Sequence, residues 1–392
     1  MVSVLLLVGI LAAVFVGFNV GGSTTGPAFG PAVGADAISK TGAAALMTLF
    51  FFVGAWTIGR NVVETLGGDL VTDATVFTPE ASIGVLFFIG LGLLVGNLFG
   101  VPASTSMTAV GSIAGLALAG DALAWSVMGE IATWWIVSPF IGFWMSLIIG
   151  RYFYARLNRM VAMERSEGPL VELDRSGAVP KPVPNGSTSR RELLGVITVV
   201  AIGCLMAFSS GTSNIANAIA PLVGSDQLEM NPAILIGGAA VGIGTFTIAR
   251  RTLETMGNDL TELPLTAAIV VATVSATLVI FLSAIGIPAS FVVIATMCII
   301  GLGWGRATRP VTVPEAVRGE EEPPVSVDAL AEDEPGEELP PIGEEDPEHV
   351  PSAADLFDPA TTARVVLMQN LVPLISTIGA YLAFRFVPIF GL

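Results

Sequence analysis

The chain has 392 residues, of which 53% are hydrophobic and only 13% charged, with a mean hydropathy of +0.78. A soluble domain would carry about a quarter charged residues, so composition excludes an ordinary soluble enzyme. The formal net charge of −16 gives no basic footprint for nucleic acid, and no nucleic-acid partner is expected.

Uncharged apolar runs succeed one another along the chain: Val2–Phe18, Thr41–Gly59, Ala81–Val101, Ile131–Gly150, Leu193–Phe208, Pro232–Ala249, Leu265–Ile287 and Val365–Ala383. Most approach the ~20 residues a helix needs to cross a bilayer. They lack strand alternation, so the expected class is an all-α polytopic membrane protein. Val2–Phe18 has no basic stretch ahead of it and runs into a polar motif, and is read as a retained first span, not a signal peptide. Five crossings are expected in a first unit, 1–150: 2–34, 41–59, 81–101, 103–120 and 130–150. A linker, 151–192, follows, with Arg151, Arg156, Arg159, Arg165, Arg175, Lys181, Arg190 and Arg191, which favour the cytoplasmic side. Its start, Arg151–Arg165, is expected to prolong the preceding helix, and Pro180, Pro182 and Pro184 to make its second half flexible.

A second unit, 193–306, supplies four crossings and returns the chain to Arg306 and Arg309 at the cytoplasmic face. Residues 307–362 form an acidic, proline-rich loop, expected to be disordered and cytoplasmic; between 311 and 360 it holds 16 acidic residues against one base, Arg318. A last helix, within 363–392, crosses out. The total is ten membrane segments, or up to twelve if 21–34, 211–224 and 103–120 cross separately; re-entry of those three would change the count. Cys204 and Cys298 lie in apolar segments and read as core residues, and His349 in the acidic loop has no companions, so no metal site is expected.

The chain repeats itself. Thr57-Ile-Gly-Arg60 through Glu64-Thr65-Leu-Gly67-Gly-Asp69-Leu70 recurs 190 residues later as Thr247-Ile-Ala-Arg250 through Glu254-Thr255-Met-Gly257-Asn-Asp259-Leu260. At the same offset Phe18, Gly21, Ser23, Pro31 and Gly34 match Phe208, Gly211, Ser213, Pro221 and Gly224. Gly100-Val-Pro102-Ala-Ser104 echoes Gly286-Ile-Pro288-Ala-Ser290. An odd number of crossings per unit makes such a duplication an inverted-topology repeat, a habit of transporters.

Three elements carry candidate chemistry. Gly21-Gly-Ser23-Thr24-Thr25-Gly26-Pro27 is expected to break its helix, with Ser23, Thr24 and Thr25 and the freed N–H groups forming an oxyanion cradle. Ser213, Asn214 and Asn217 offer the same in the second copy. The competing reading is that small residues let helices pack and the hydroxyls bond back to their own helix. Ser104, Thr105 and Ser106 follow Pro102 at a helix start, and Ser290 follows Pro288; these are donors to a ligand or simple caps. Arg60/Glu64 and Arg250/Glu254 stand at i,i+4 on one helix face, as a gating or coupling pair or a pair snorkelling to the interface. Asp69 and Asp259 are placed in a water-facing turn.

Together these stretches resemble the inorganic phosphate transporter (PiT) family. Gly211-Thr-Ser213-Asn214-Ile-Ala-Asn217-Ala-Ile-Ala-Pro221 is similar to its duplicated signature, G-x-N-D-V-A-N-A-x-G-P. Glu64-Thr-Leu-Gly67 and Glu254-Thr-Met-Gly257 look like its E-T-x-G element, and Pro102-Ala-Ser104-Thr105-Ser106-Met107 like its P-V-S-T-T-H element. The signature aspartates, which the resemblance associates with sodium, fall here at Thr24 and Asn214; a hard cation prefers carboxylate oxygens. The resemblance implies secondary transport of an oxyanion, phosphate first and sulfate second, by alternating access, in the cell membrane. The coupling ion is sodium or a proton, the latter through Glu64 or Glu254. No cofactor is expected, and a homodimer is implied by the resemblance alone. The rival from another class is a non-transporting sensor or scaffold. An intramembrane hydrolase would need a base beside Ser23 or Ser213, and the only histidine is His349.

Overall fold

The computed structural model describes residues 4–34, 37–98, 104–161, 171–174, 181–184, 190–247, 265–308 and 359–387. Arg250, Glu254, Asp259, Pro102 and nearly all of the acidic loop lie outside the described residues. The helices are α1 (Val4–Gly34), α2 (Lys40–Trp56), α3 (Gly59–Glu64), α4 (Pro79–Leu98), α5 (Thr105–Ala119), α6 (Trp125–Ile148), α7 (Tyr154–Val161), α8 (Arg190–Gly224), α9 (Met230–Thr247), α10 (Leu265–Ala284), α11 (Phe291–Ala307) and α12 (Pro359–Phe386). Two four-residue strands, β1 (Val171–Asp174) and β2 (Lys181–Pro184), pair antiparallel within the linker. Through a π-helical turn, Ile149–Phe153, α6 runs on into α7, as expected for the start of the linker.

Among the described residues seven helices are long and apolar enough to cross a membrane, or eight with the bent pair α2–α3, and α5 and α11 are shorter apolar helices. The protein is a multi-pass membrane protein. Its outer surface fits a bilayer: Ile136, Phe140, Trp144 and Ile148, four residues apart on α6, are all exposed, and so are Leu367, Leu371, Leu374 and Ile378 on α12. An apolar stripe of that extent does not face water.

The two halves interlock. In one group of helices α1 packs on α9 and α2 on α8; in another α6 packs on α11 and α5 on α12. Both crossings of the first group depend on glycines at the 190-residue offset. A Cβ at Gly21 would strike the Val241 carbonyl and one at Gly244 the Phe18 carbonyl; a Cβ at Gly211 would strike the Phe51 carbonyl and one at Gly54 the Phe208 carbonyl. Without side chains the helix backbones approach closely enough for packing, which in a bilayer takes over from hydrophobic association.

The expected break in the first signature is not there. Chain 4–34 is one helix with Pro27 and Pro31 inside it, and 190–224 is another with Pro221 inside it. The glycines expected to break these helices serve the crossings instead. The hydroxyls stitch the turn: Ser23 and Thr24 donate to the Val20 carbonyl and Thr25 to the Gly21 carbonyl. The chain breaks elsewhere, between α2 and α3, with a bend of 63°. There the C-cap Thr57 leaves helical geometry at φ −91 and ψ −89.

Candidate functional site

Two short helices start inside the protein, and what precedes or opens each reaches the middle of α8: Thr105 and Ser106 of α5, and the Ala289 carbonyl just ahead of α11. Helix α5 has 15 residues, about 22 Å at the α-helical rise, against ~30 Å of hydrocarbon. Ser104 caps it by accepting from the Met107 N–H at 3.2 Å, and Ser290 caps α11 by accepting from the Val293 N–H at 3.4 Å. For these two serines, then, capping is what the geometry gives. Each cap leaves earlier N–H groups of the first turn pointing outward, at the positive end of the helix dipole.

The side chains between these ends form two adjacent hydrogen-bonded groups. Ser106 and Ser213 lie 3.0 Å apart, and both donate to the Ala289 carbonyl, at 2.9 and 2.7 Å. Thr105 donates to Asn214 Oδ1, which also accepts from Asn217 Nδ2 at 3.1 Å; Asn214 Nδ2 donates to Ser210 at 3.0 Å. Ser106, Ser210, Ser213, Asn214 and Asn217 are all buried. Asn217 Oδ1 and Ser209 Oγ are buried without a hydrogen-bond partner. Such atoms are scarce in folded proteins and call for a ligand or water. Among the described residues no charged side chain takes part in these hydrogen bonds, which are made by hydroxyls and amides.

Of the candidates read from sequence, the structure unites Thr105, Ser106, Ser213, Asn214 and Asn217, with Ser104 and Ser290 beneath them as caps. Ser23, Thr24 and Thr25 do not join them by any hydrogen bond among the described residues. Thr25 instead meets Thr245 at 3.3 Å and ties α1 to α9. The first-copy hydroxyls thus make the back-bonds to their own helix that the competing reading describes.

The repeated Arg/Glu/Asp element separates into two faces. Gly67 lies against Gly224 of α8, and Thr65 against Gly286, whose φ of +80 only glycine adopts readily. Glu64 and Asp69 face outward. Arg60 does not pair with Glu64: its guanidinium lies 4.7 Å over Trp56 and donates to Asn231 Oδ1 of α9 at 2.7 Å. Arg250 and Glu254 lie outside the described residues.

Three participants escaped sequence reasoning. Ser210 lies one residue ahead of the Gly211 signature and was given no role. Ala289 acts through its carbonyl, which no side-chain pattern reveals, although its neighbours Pro288 and Ser290 mark the turn. Trp135 donates from Nε1 to the Pro288 carbonyl at 2.8 Å, and nothing in its local sequence sets it apart from the other aromatic residues of α6.

Residues 20–320 match the phosphate transporter family. The sulfate permease CysP of Bacillus subtilis (strain 168) is 30% identical over 301 residues, covering 76% of this chain and 77% of that protein. A protein of Thermococcus kodakarensis, provisionally named a phosphate permease, is 24% identical over 367 residues, 77% of this chain and 90% of its own. Among solved structures, one titled the sodium-dependent phosphate transporter superposes with a TM-score of 0.65 at 17% identity, covering 98% of this chain and 100% of that one. At that identity the likeness speaks for the fold.

Proposed function

The chain belongs to the phosphate transporter family, and from that premise we propose that it carries a small tetrahedral oxyanion across the cell membrane. It is not an enzyme. The carrying observation is the convergence of the α5 first turn and the turn ahead of α11 on Ser213 and Asn214, with Asn217 bonded to Asn214. Helix N-termini with hydroxyl and amide donors suit an anion, and the absence of a carboxylate in the network spares it repulsion. The two interlocked halves are inverted repeats, and alternating access rocks one bundle against the other around the site. In this arrangement the linker and the acidic loop face the cytoplasm.

Phosphate is the first reading of the cargo, from the family and its provisionally named permeases. Sulfate is the second, favoured by the 30% identity to a sulfate permease. Thr24 and Asn214 leave any sodium site without the carboxylates a hard cation prefers, and we place coupling on protons through Glu64 or Glu254. Uptake of labelled phosphate and labelled sulfate into proteoliposomes, with and without sodium and proton gradients, tests this. Uptake driven by a proton gradient is expected; no uptake of either anion under any gradient would sink transport and leave the sensor reading.

A further inference from the structure

The strongest lead is the carbonyl at the centre of the site. Ala289 O receives both site serines, Ser106 at 2.9 Å and Ser213 at 2.7 Å. Those two hydroxyls are buried and come from different halves of the chain. An oxyanion oxygen seated there would need the same two protons, and each hydroxyl has only one to give. Anion and carbonyl therefore compete for the same donors.

The carbonyl belongs to a short turn, 285–290, that is held from outside the site. Asn61 of α3 donates from Nδ2 to the Ala284 carbonyl at 2.8 Å. Gly286 turns the chain at φ +80 against Thr65. Trp135 of α6 donates from Nε1 to the Pro288 carbonyl at 2.8 Å, one residue before Ala289. Two indole and amide donors on separate helices thus fix the turn that presents the competing oxygen.

Resting on the reading of this site as an oxyanion site, we propose that the Ala289 carbonyl is a built-in substitute for the anion, and that Trp135 and Asn61 are positioning residues that set how firmly it holds the serines. The anion enters by displacing the carbonyl, and the turn must yield when it does. Freeing the turn lowers the cost of that displacement.

The test is anion uptake by the full-length protein in proteoliposomes, with KM and Vmax resolved for labelled phosphate and for labelled sulfate. Trp135→Phe keeps the ring and removes the N–H. Loss of one neutral hydrogen bond corresponds to a three- to tenfold change, roughly. KM for the transported anion should therefore fall by about that factor. Asn61→Ala, acting from the other end of the turn, should lower it in the same direction. A merely structural role for either residue would raise KM or cut Vmax through poorer folding, and thermal unfolding of each variant in detergent separates that case. Unchanged or raised KM in a folded Trp135→Phe variant overturns the proposal while wild-type uptake leaves the transport reading standing. Absence of wild-type uptake overturns both.

Discussion

Asn214 is the residue on which the site's geometry can be tested most directly. Its Oδ1 serves Thr105 and Asn217 and its Nδ2 serves Ser210. Asn214→Ala strands all three partners, of which Ser210 and Asn217 are buried. A buried polar group left without a partner costs ~1–3 kcal/mol, so the two buried ones together cost ~2–4 kcal/mol once some water enters the vacated space. That is a sizeable part of the ~5–15 kcal/mol that holds a domain folded, and the variant should lose both thermal stability and uptake. Asn214→Asp behaves differently. It keeps the acceptor for Thr105 and Asn217, and Ser210 can reverse its proton to donate. Stability should stay near wild type. The new carboxylate, however, repels the anion by ~4 kcal/mol for each unit charge at ~4 Å and an effective dielectric of ~20, which is on the order of a thousandfold in affinity. Uptake by Asn214→Asp should collapse without a neutralising cation and recover in part with sodium. Paired thermal-unfolding and proteoliposome measurements resolve the two variants. If Asn214→Asp retains wild-type KM without sodium, the anion does not sit beside this residue; if Asn214→Ala unfolds at the wild-type temperature, the hydrogen-bond hub is wrong.

Two further outcomes follow from the packing. Gly21→Ala and Gly211→Ala each place a Cβ closer than 3.0 Å to backbone of the facing helix; each should destabilise by ~1–3 kcal/mol, and by similar amounts because the contacts are related by the repeat, with melting temperatures in detergent as the check. The double variant Ser23→Ala, Thr24→Val removes hydroxyls that serve only their own helix, so KM for the anion should stay within about twofold; a larger rise would place the first signature in the binding site.

The apolar helices were legible because bilayer thickness imposes a length on every apolar run, and that constraint is local in sequence; their number was not, since ten to twelve crossings were expected and the described residues give seven, or eight with the bent pair, beside two shorter apolar helices. Nor were the bend at Thr57 and the continuity of α1 and α8. Gly21, Ser23, Thr24 and Pro27 in one stretch look like a broken helix when only local propensity is counted. The compensating terms are tertiary: α9 fills the groove that Gly21 opens, and the hydroxyls bond back to Val20 and Gly21. Arg60 was paired with Glu64 by spacing, but its partner Asn231 is 171 residues away. No periodicity within one helix can disclose that.

The duplication carries the last step. Positions that match across the 190-residue offset, such as Gly21 with Gly211 and Gly54 with Gly244, turn out to be where the two halves cross, and they must match because each crossing repeats the other. Apart from Ser213, which matches Ser23, the hydrogen-bonded side chains lie at positions that differ. Asn214 corresponds to Thr24 and Asn217 to Pro27, while Thr105 and Ser106 face Phe291 and Val292 in the other copy. A symmetric frame can hold a single asymmetric ligand site only by letting one copy of each element keep its donors and the other surrender them. Here α8 keeps the amides and α5 keeps the Thr105 and Ser106 hydroxyls, so both repeats contribute side chains to these hydrogen bonds. In this chain the matched glycines locate the crossings of the halves, and the mismatches at Thr105, Ser106, Asn214 and Asn217 fall on hydrogen-bonding side chains.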